Sequence, residues 1–361
     1  MNNRIVSVDI FRGATIVLMI LVNTPGTWSA VYAPFLHADW HGYTPTDLVF
    51  PFFLFIVGTS ISFSYKDRIV RALTYKKITI RTLKLIGLGL FIGMFTINFP
   101  FFKDYDSIRF PGVLQRIGVV FFFASILFLN FKWKTLIGIT ISLLVGYWLL
   151  MILVPVEGIT STLERSPHNL ANWVDVKVFG SHMYKADYDP EGVLSTIPSI
   201  VSALLGVFTG LILTSKQVKK ATILIGVGGA FLIIGHIWDI FFPINKALWT
   251  SSFVLVTAGW ANLILGGIYY LTDVKNIQFG SIFKYAGANA ILIYFFAGFI
   301  GRIMGMVKIG ETSLHGWIFE TIYTHDFMSL QMSSLIYALT VVVFYVVLAY
   351  ILYQRKIFVK V

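Results

Sequence analysis

The chain has 361 residues, of which 57% are hydrophobic and 12% are charged, and its mean hydropathy is +0.79. A soluble domain has about 25% charged residues, so this composition excludes a soluble globular enzyme, a disordered chain and a nucleic-acid-binding protein. The chain has no cysteine, which excludes disulfides and thiol catalysis, and its net charge of +11 is typical of membrane topology rather than of an acidic partner.

Ten mostly apolar runs are long enough to cross about 30 Å of hydrocarbon. They lie at 5–24, 45–65, 78–98, 111–130, 135–154, 192–214, 221–241, 253–272, 282–303 and 332–353. Because lipid offers no partner to an open strand edge, each run is predicted to be a helix. The fold class is therefore an all-α polytopic membrane bundle of ten helices, and an eleventh, re-entrant or broken segment fits in 25–44 or 304–330.

Lysine and arginine concentrate on one set of connections, which predicts the cytoplasmic face. That set is Arg4, Lys66, Arg68, Arg71, Lys76, Lys77, Arg81, Lys84, Lys132, Lys134, Lys216, Lys219, Lys220, Lys275, Lys284, Arg355, Lys356 and Lys360. Both termini are predicted to be cytoplasmic. The loops at about 25–44, 155–191, 242–252 and 304–331 are predicted to be extracytoplasmic, in a single domain over 1–361.

Polar residues inside the runs are the first functional candidates, since an ionisable side chain there costs several kcal/mol unless it is paired or wetted. Asp9 and Arg12 are three residues apart and can form an internal ion pair. Deeper candidates are Asn23, Asp47, Gln115, Arg116, Asn289 and Tyr294.

The densest polar cluster runs from His37 to Asp47, and three interpretations compete for it. His37, Asp39 and His41 alternate as metal ligands can. The segment can also be an interfacial loop with Trp40 as a membrane-belt aromatic. Alternatively, one histidine is a general base that Asn23 or Asp47 orients, while Asp47 sits in the first turn of its helix.

Two further outer clusters are Tyr188–Gly192 and Pro243–Ser252. Glu191 fits a helix-capping role as well as a functional one. Lys246 and Trp249 offer a donor and an aromatic plate that suit a sugar, and they also suit a plain turn.

These segments, taken together and in order, resemble the heparan-α-glucosaminide N-acetyltransferase family over nearly the whole chain. The matching motifs are Ser7–Gly13, Val22–Asn23, His37–Gly42, Asp47–Pro51, Pro111–Arg116, Asp189–Leu194, Pro243–Trp249, Gly287–Leu292 and Tyr350–Tyr353. Lysosomal members carry a luminal domain before the first span and tend to have Asn where this chain has His41. These departures favour a bacterial inner membrane as the location.

The resemblance implies a membrane-bound acetyltransferase that passes an acetyl group from cytoplasmic acetyl-CoA to the amine of a glucosamine-type sugar on the other side. It implies that His37 is the active-site histidine, supported by Asn23 and Asp47. Expected cofactor-binding residues are Arg12, Gln115, Arg116, Asn289 and Tyr294, with no metal. Expected substrate-binding residues are Asp39, Trp40, His41, Glu191, Lys246 and Trp249. The implied partners are acetyl-CoA, an amino-sugar or glycan acceptor, the bilayer and a second copy in a homodimer.

Two other functions are alternatives. A transporter of a sugar or an acylated intermediate would show repeat symmetry and helices broken near the midplane, whereas the polar residues here lie near span ends and no repeat is evident. A metal-dependent hydrolase would be built on His37, Asp39 and His41.

Overall fold

The computed structural model describes residues 5–66 and 71–359, and this part of the chain forms thirteen α-helices and one two-stranded hairpin. The helices are α1 (Val6–Asn23), α2 (Val49–Tyr65), α3 (Ala72–Met94), α4 (Val113–Asn130), α5 (Trp133–Leu153), α6 (Leu170–Phe179), α7 (Val193–Thr214), α8 (Lys220–Asp239), α9 (Ser251–Tyr269), α10 (Ser281–Ala288), α11 (Ala290–Met306), α12 (Leu314–Ile318) and α13 (Leu330–Gln354). The strands are β1 (Lys308–Ile309) and β2 (Thr312–Ser313), which pair antiparallel. The predicted all-α polytopic membrane fold is confirmed. Arg4, Arg68 and Lys360 lie outside the described residues.

Eight of the described helices are long and apolar enough to cross a membrane. The ninth predicted run is two helices, α10 and α11, which meet at Asn289 with a bend of 79°. The third run forms α3, whose length is sufficient but whose lysines and arginines exclude it from the eight. Its Arg81 guanidinium carbon lies 4.6 Å from the centre of the Phe121 ring on α4, and α3 packs mainly on α4.

Residues 25–44 and 304–330 contain no additional spanning helix among the described residues. The first of these segments has only a short 3₁₀ turn at Ala33–Phe35, and the second has the hairpin and α12. An unpredicted helix, α6, forms in the loop at 155–191. Its N-cap Asn169 accepts from the backbone N–H groups of Ala171 and Asn172, at 3.0 and 3.3 Å.

The centre of the bundle is the contact between α2 and α7. Gly58 and Gly206 make this contact possible, because a Cβ on Gly58 would lie 1.8 Å from the Ala203 carbonyl oxygen and one on Gly206 would lie 1.9 Å from that of Phe55. Small residues that let two backbones approach are typical of helix packing in membranes, where there is little hydrophobic driving force between helices.

The two ends of the bundle differ in chemistry. The helices α2, α4, α7 and α9 all begin at one end, which we call the site end. The contact between Arg109 and Asp189 joins the segments that precede α4 and α7. The contact between His37 and Lys246 joins the segments that precede α2 and α9. At the other end, called the basic end, α2 and α7 finish together, where the Lys66 ammonium donates to the Thr214 carbonyl at 3.0 Å. The lysine-rich connections after α4 and α7 lie at this basic end.

Candidate functional site

His37 and Asp47 form a hydrogen-bonded pair at the site end. The His37 Nδ1 atom lies 2.7 Å from Asp47 Oδ1. The carboxylate is buried, with 1% of its side chain exposed, whereas 51% of the imidazole side chain is exposed. A buried carboxylate on one ring nitrogen fixes the ring. The other nitrogen, Nε2, lies 3.3 Å from the Lys246 ammonium nitrogen.

Local backbone structure holds Asp47 in this position. Its Oδ2 atom accepts from the backbone N–H groups of Ala38 and Thr44, at 3.0 and 2.9 Å. The Thr44 hydroxyl donates to the Leu36 carbonyl at 2.6 Å, which ties the segment before α2 to the residue next to His37. One carboxylate therefore both caps the entry to α2 and orients the imidazole, so the capping and orienting interpretations of Asp47 are compatible.

Lys246, in the connection between α8 and α9, contacts both members of this pair. Its ammonium nitrogen lies 2.9 Å from His37 Nδ1 and 3.3 Å from Asp47 Oδ1. Burial lowers the pKa of this lysine below its ordinary value, and the Asp47 charge partly opposes that effect. The sequence placed Lys246 among substrate-binding candidates, and no spacing rule could connect it to a histidine 209 residues away.

Asn23 and Tyr294 line a cavity of about 680 Å³ between α1, α11 and α13. The Asn23 amide donates to the Met19 carbonyl of its own helix at 2.9 Å, so it does not support His37 by a direct hydrogen bond. The cavity reaches from Tyr294 and Tyr345 in the middle of the bundle to the site end. His315, Tyr323, Tyr337 and Arg302 add further polar groups to its wall.

Gln115 and Arg116 start α4 beneath the site. The Gln115 amide donates to the Phe110 carbonyl at 3.1 Å. The Arg116 guanidinium is buried, donates to the Gly192 carbonyl at 3.1 Å and to the Ser195 hydroxyl at 2.5 Å, and lies 5.2 Å from the Trp249 ring. Its Nε and Nη1 atoms are buried without a hydrogen-bond partner.

Trp249 lies in the core rather than at the surface. It is 1% exposed, and its indole N–H donates to the Ser202 hydroxyl at 3.0 Å. Its ring meets those of Phe50 and Phe253 edge-on at 5.2 and 5.4 Å. The Trp249 ring, which was expected to pack against a sugar, is thus covered by protein. It packs against the Arg116 guanidinium instead.

Arg12 and Asn289 lie in other parts of the bundle. The predicted pair of Arg12 with Asp9 is present at 3.3 Å, and Arg12 also donates to the Ser60 hydroxyl at 2.8 Å. The Asn289 amide group donates to the Ile357 carbonyl at 2.9 Å and accepts from the Val359 N–H at 3.0 Å. Asn289 therefore holds the C-terminal segment at the bend between α10 and α11, instead of lining the cavity.

The outer loop residues contact the 155–191 segment, which covers one side of the site. The Trp40 indole donates to the Leu163 carbonyl at 2.9 Å, and its ring meets Tyr188 edge-on at 5.3 Å. The His41 Nε2 atom lies 3.2 Å from Glu164 Oε1. Asp39 is exposed.

A second charged cluster, at the start of α7, was only partly predicted. Arg109 forms a bidentate pair with Asp189, at 2.8 and 2.5 Å, and also contacts Glu191. These two carboxylates raise the pKa of Arg109 against the opposing effect of burial. Glu191 is therefore paired with Arg109. Sequence reasoning did not single out Arg109.

Asp175 is a third buried carboxylate and comes from the unpredicted α6. It accepts from the Val193 N–H at 2.8 Å, at the start of α7, and it lies against Gly192. Burial raises the pKa of Asp175 to about 7, which the nearby charge of Asp189 reinforces.

The structure does not bring the three residues of the metal interpretation together. Within residues 5–66 and 71–359, no three histidine or carboxylate side chains converge as ligands. His37 points to Asp47, whereas His41 contacts Glu164 and lies 3.4 Å from the Asn245 amide nitrogen.

Comparisons with known proteins show the family of the chain. Residues 4–237 match the family model described as heparan-alpha-glucosaminide N-acetyltransferase, catalytic. The proteins named heparan-alpha-glucosaminide N-acetyltransferase from Mus musculus and Homo sapiens are each 32% identical to the chain, over 417 and 419 residues. The alignments cover 99% of this chain and 61% and 60% of those proteins, so the chain spans about three fifths of their length. The chain belongs to the heparan-alpha-glucosaminide N-acetyltransferase family.

Proposed function

We propose that the chain is a membrane-bound N-acetyltransferase that moves an acetyl group from acetyl-CoA to the amine of a glucosamine-type sugar, with His37 as the reacting base or relay. The observation that carries this proposal is the exposed imidazole held 2.7 Å from the buried Asp47 carboxylate, in a chain of this family. An imidazole so held is suited to proton transfer near neutral pH.

In direct transfer, the amine nitrogen attacks the thioester carbonyl carbon while His37 takes the amine proton. The C–N bond forms, the C–S bond breaks, and the CoA thiolate leaves and is protonated. In a relay, His37 itself attacks the thioester and then passes the acetyl group to the amine. Both routes use Nε2, because Nδ1 faces Asp47.

Lys246 fits this chemistry as an electrostatic partner. The Lys246 ammonium nitrogen lies 3.3 Å from Asp47 Oδ1, so its charge offsets that of the buried carboxylate. It also lies 2.9 Å from His37 Nδ1, so Lys246 helps to hold the ring in place.

We assign the thioester end of the donor to the cavity beside Asn23. The cavity wall combines apolar side chains with the amide of Asn23 and the phenol of Tyr294, which suits the amphipathic pantetheine arm. The Asn23 amide is a candidate donor to the developing oxyanion. The basic end would attract the phosphates of acetyl-CoA from the cytoplasm. On this proposal both termini also lie on the cytoplasmic side. The excess of positive charge at the basic end supports an orientation in which this end faces the cytoplasm. The membrane we propose is a bacterial inner membrane.

The amino-sugar acceptor is assigned to the exposed side of the imidazole. Asp39, Trp40 and His41 follow His37 in the same loop, and Trp40 and His41 contact the 155–191 segment. A homodimer and the single transmembrane domain over 1–361 remain part of the proposal.

The test is acetyl transfer from radiolabelled acetyl-CoA to glucosamine by the purified protein in proteoliposomes. The wild type should form N-acetylglucosamine, and His37→Gln should lose at least a hundredfold in kcat. His325→Gln is the matched control, because His325 is exposed and stacks only on Phe327. Equal rates in the two variants, or no transfer by the wild type, would overturn the proposal.

A further inference from the structure

A second cavity, of about 890 Å³, cuts into the bundle between α5 and α8. The helices α5 and α8 contact each other near the site end, where the rings of Trp148 and Trp238 meet edge-on at 5.7 Å. Towards the basic end they separate, since α8 packs mainly on α9 and α5 mainly on α7. The result is a crevice that is narrow at the site end and wide at the basic end.

The crevice is open to the membrane on one side. Ile137 and Ile141, which line it from α5, are 39% and 56% exposed, whereas Leu144 and Leu205 on its floor are 5% and 6% exposed. A lateral opening with an apolar floor differs from a flat helix face, because only a thin, flexible chain can reach the bottom. In a bilayer, hydrocarbon chains are the available molecules of that shape.

Polar groups are concentrated at the wide end. Lys66, Ser215 and Gln217 line the crevice there, and the Lys66 ammonium uses the Thr214 carbonyl and hydroxyl at 3.0 and 3.1 Å. The described residues that line the crevice include no acidic side chain. A basic mouth over an apolar cleft, at headgroup depth, is complementary to an anionic lipid.

One buried hydroxyl in the crevice has no protein partner. Thr140 is 5% exposed, lines the crevice from α5, and its Oγ1 atom makes no hydrogen bond. A buried hydroxyl without a partner is costly, so an acceptor on a ligand would stabilise it. It lies about 10 Å along the helix from the start of α5, below the polar mouth, where a lipid ester carbonyl is the expected acceptor.

We infer that this crevice is a binding site for one anionic phospholipid. The acyl chains occupy the cleft between α5 and α8, the phosphate faces Lys66, and an ester carbonyl accepts from Thr140. This site is separate from the cavity beside Asn23, and the inference does not depend on the proposed acetyltransferase activity.

The test measures quenching of Trp133 by brominated lipids, since Trp133 lines the crevice and is 56% exposed. The full chain is reconstituted in phosphatidylcholine vesicles containing brominated phosphatidylglycerol or brominated phosphatidylcholine. The Trp133 signal is the difference between each protein and its Trp133→Phe version. The relative affinity for phosphatidylglycerol over phosphatidylcholine should be well above one in the wild type and about fivefold lower in Lys66→Gln.

Two controls make the result specific. Lys275→Gln removes an exposed charge that does not line the crevice, and it should leave the lipid preference unchanged. Ile141→Trp, measured by phosphatidylglycerol retained after purification, should reduce lipid retention by filling the cleft. Equal quenching by the two lipids would mean unselective boundary lipid and would overturn the inference. Protection of Trp133 by acetyl-CoA would also overturn it, because the donor would then occupy the crevice.

Discussion

Replacing Asp47 with asparagine separates its two roles, because the amide has the same shape as the carboxylate. The asparagine oxygen can still accept from the Ala38 and Thr44 N–H groups, which now contact Oδ2 at 3.0 and 2.9 Å. The amide nitrogen then faces His37 Nδ1 in place of Oδ1. An N–H donor in that position forces Nδ1 to accept, so the proton moves to Nε2 and the reactive lone pair is lost.

The expected loss in kcat is about two to three orders of magnitude, which is the size of a general acid–base contribution. It corresponds to about 3–4 kcal/mol of transition-state stabilisation. The free energy of unfolding should fall in Asp47→Asn, because the Lys246 ammonium would lose the carboxylate 3.3 Å away. In Asp47→Ala it should fall by about 1–3 kcal/mol, since buried N–H donors would lose their acceptor.

The assay is single-turnover and steady-state acetyl transfer in proteoliposomes, with thermal unfolding of the same samples followed by tryptophan fluorescence. Asp47→Asn should be folded and slow, and Asp47→Ala should be both less stable and slow. Wild-type rates in a folded Asp47→Asn protein would show that this carboxylate only caps α2, and our account of the imidazole would be wrong.

Three further predictions concern the surroundings of the pair. Lys246→Met should lower kcat, since the buried Asp47 carboxylate would lose a positive partner 3.3 Å away and His37 would lose a contact at 2.9 Å. A wild-type kcat in this variant would show that the ammonium does not act on the pair. Gly298→Leu should raise KM for acetyl-CoA at least tenfold, because its side chain would enter the cavity beside Asn23, where a Cβ meets no atom within 4 Å. Gly305→Leu is its control, because Gly305 is on the same helix but does not line the cavity. Equal KM values for acetyl-CoA in the two variants would show that acetyl-CoA does not bind in that cavity. Asp175→Asn should raise the melting temperature at pH 8 but not at pH 4. The pKa of Asp175 is about 7 in the folded state and 3.8 in the unfolded state, so the wild type loses stability as the pH rises from 4 to 7. A lower melting temperature of Asp175→Asn than of the wild type at pH 8 would contradict this.

Hydropathy was sufficient to predict most of the fold, because each span must satisfy its backbone hydrogen bonds internally. The predicted run at 135–154 corresponds to α5, Trp133–Leu153, which has no acidic residue and one lysine at its start. Hydropathy could not place the break at Asn289, since the residues next to it, from Ala286 to Leu292, form one apolar run apart from Asn289 itself. It also missed α6, a ten-residue helix in a loop, which buries the apolar side chains of Leu170 and Ala171.

The site was predictable where its residues are close in sequence. His37 and Asp47 are ten residues apart, and Asp47 lies in the short turn at Pro45–Leu48 that leads into α2. Lys246 and Arg109 come from distant connections, and only the packing of α4, α7 and α9 brings them to the same end. Trp249 was predicted to be at the surface because the sequence around it is polar and typical of a turn. Such a sequence does not indicate that the ring is buried in the core.

The charge on α3 has a consequence for how the protein enters the membrane during synthesis. An arginine or lysine near the centre of a helix adds about 2.5–3.5 kcal/mol to the cost of insertion, and α3 carries Lys76, Lys77, Arg81 and Lys84. A nascent chain that ends after α3 should therefore leave this helix at the water interface. Once α4 has been synthesised, Arg81 can pack on the Phe121 ring, and the two helices should insert together as a helical hairpin. Insertion of α3 therefore depends on the synthesis of α4.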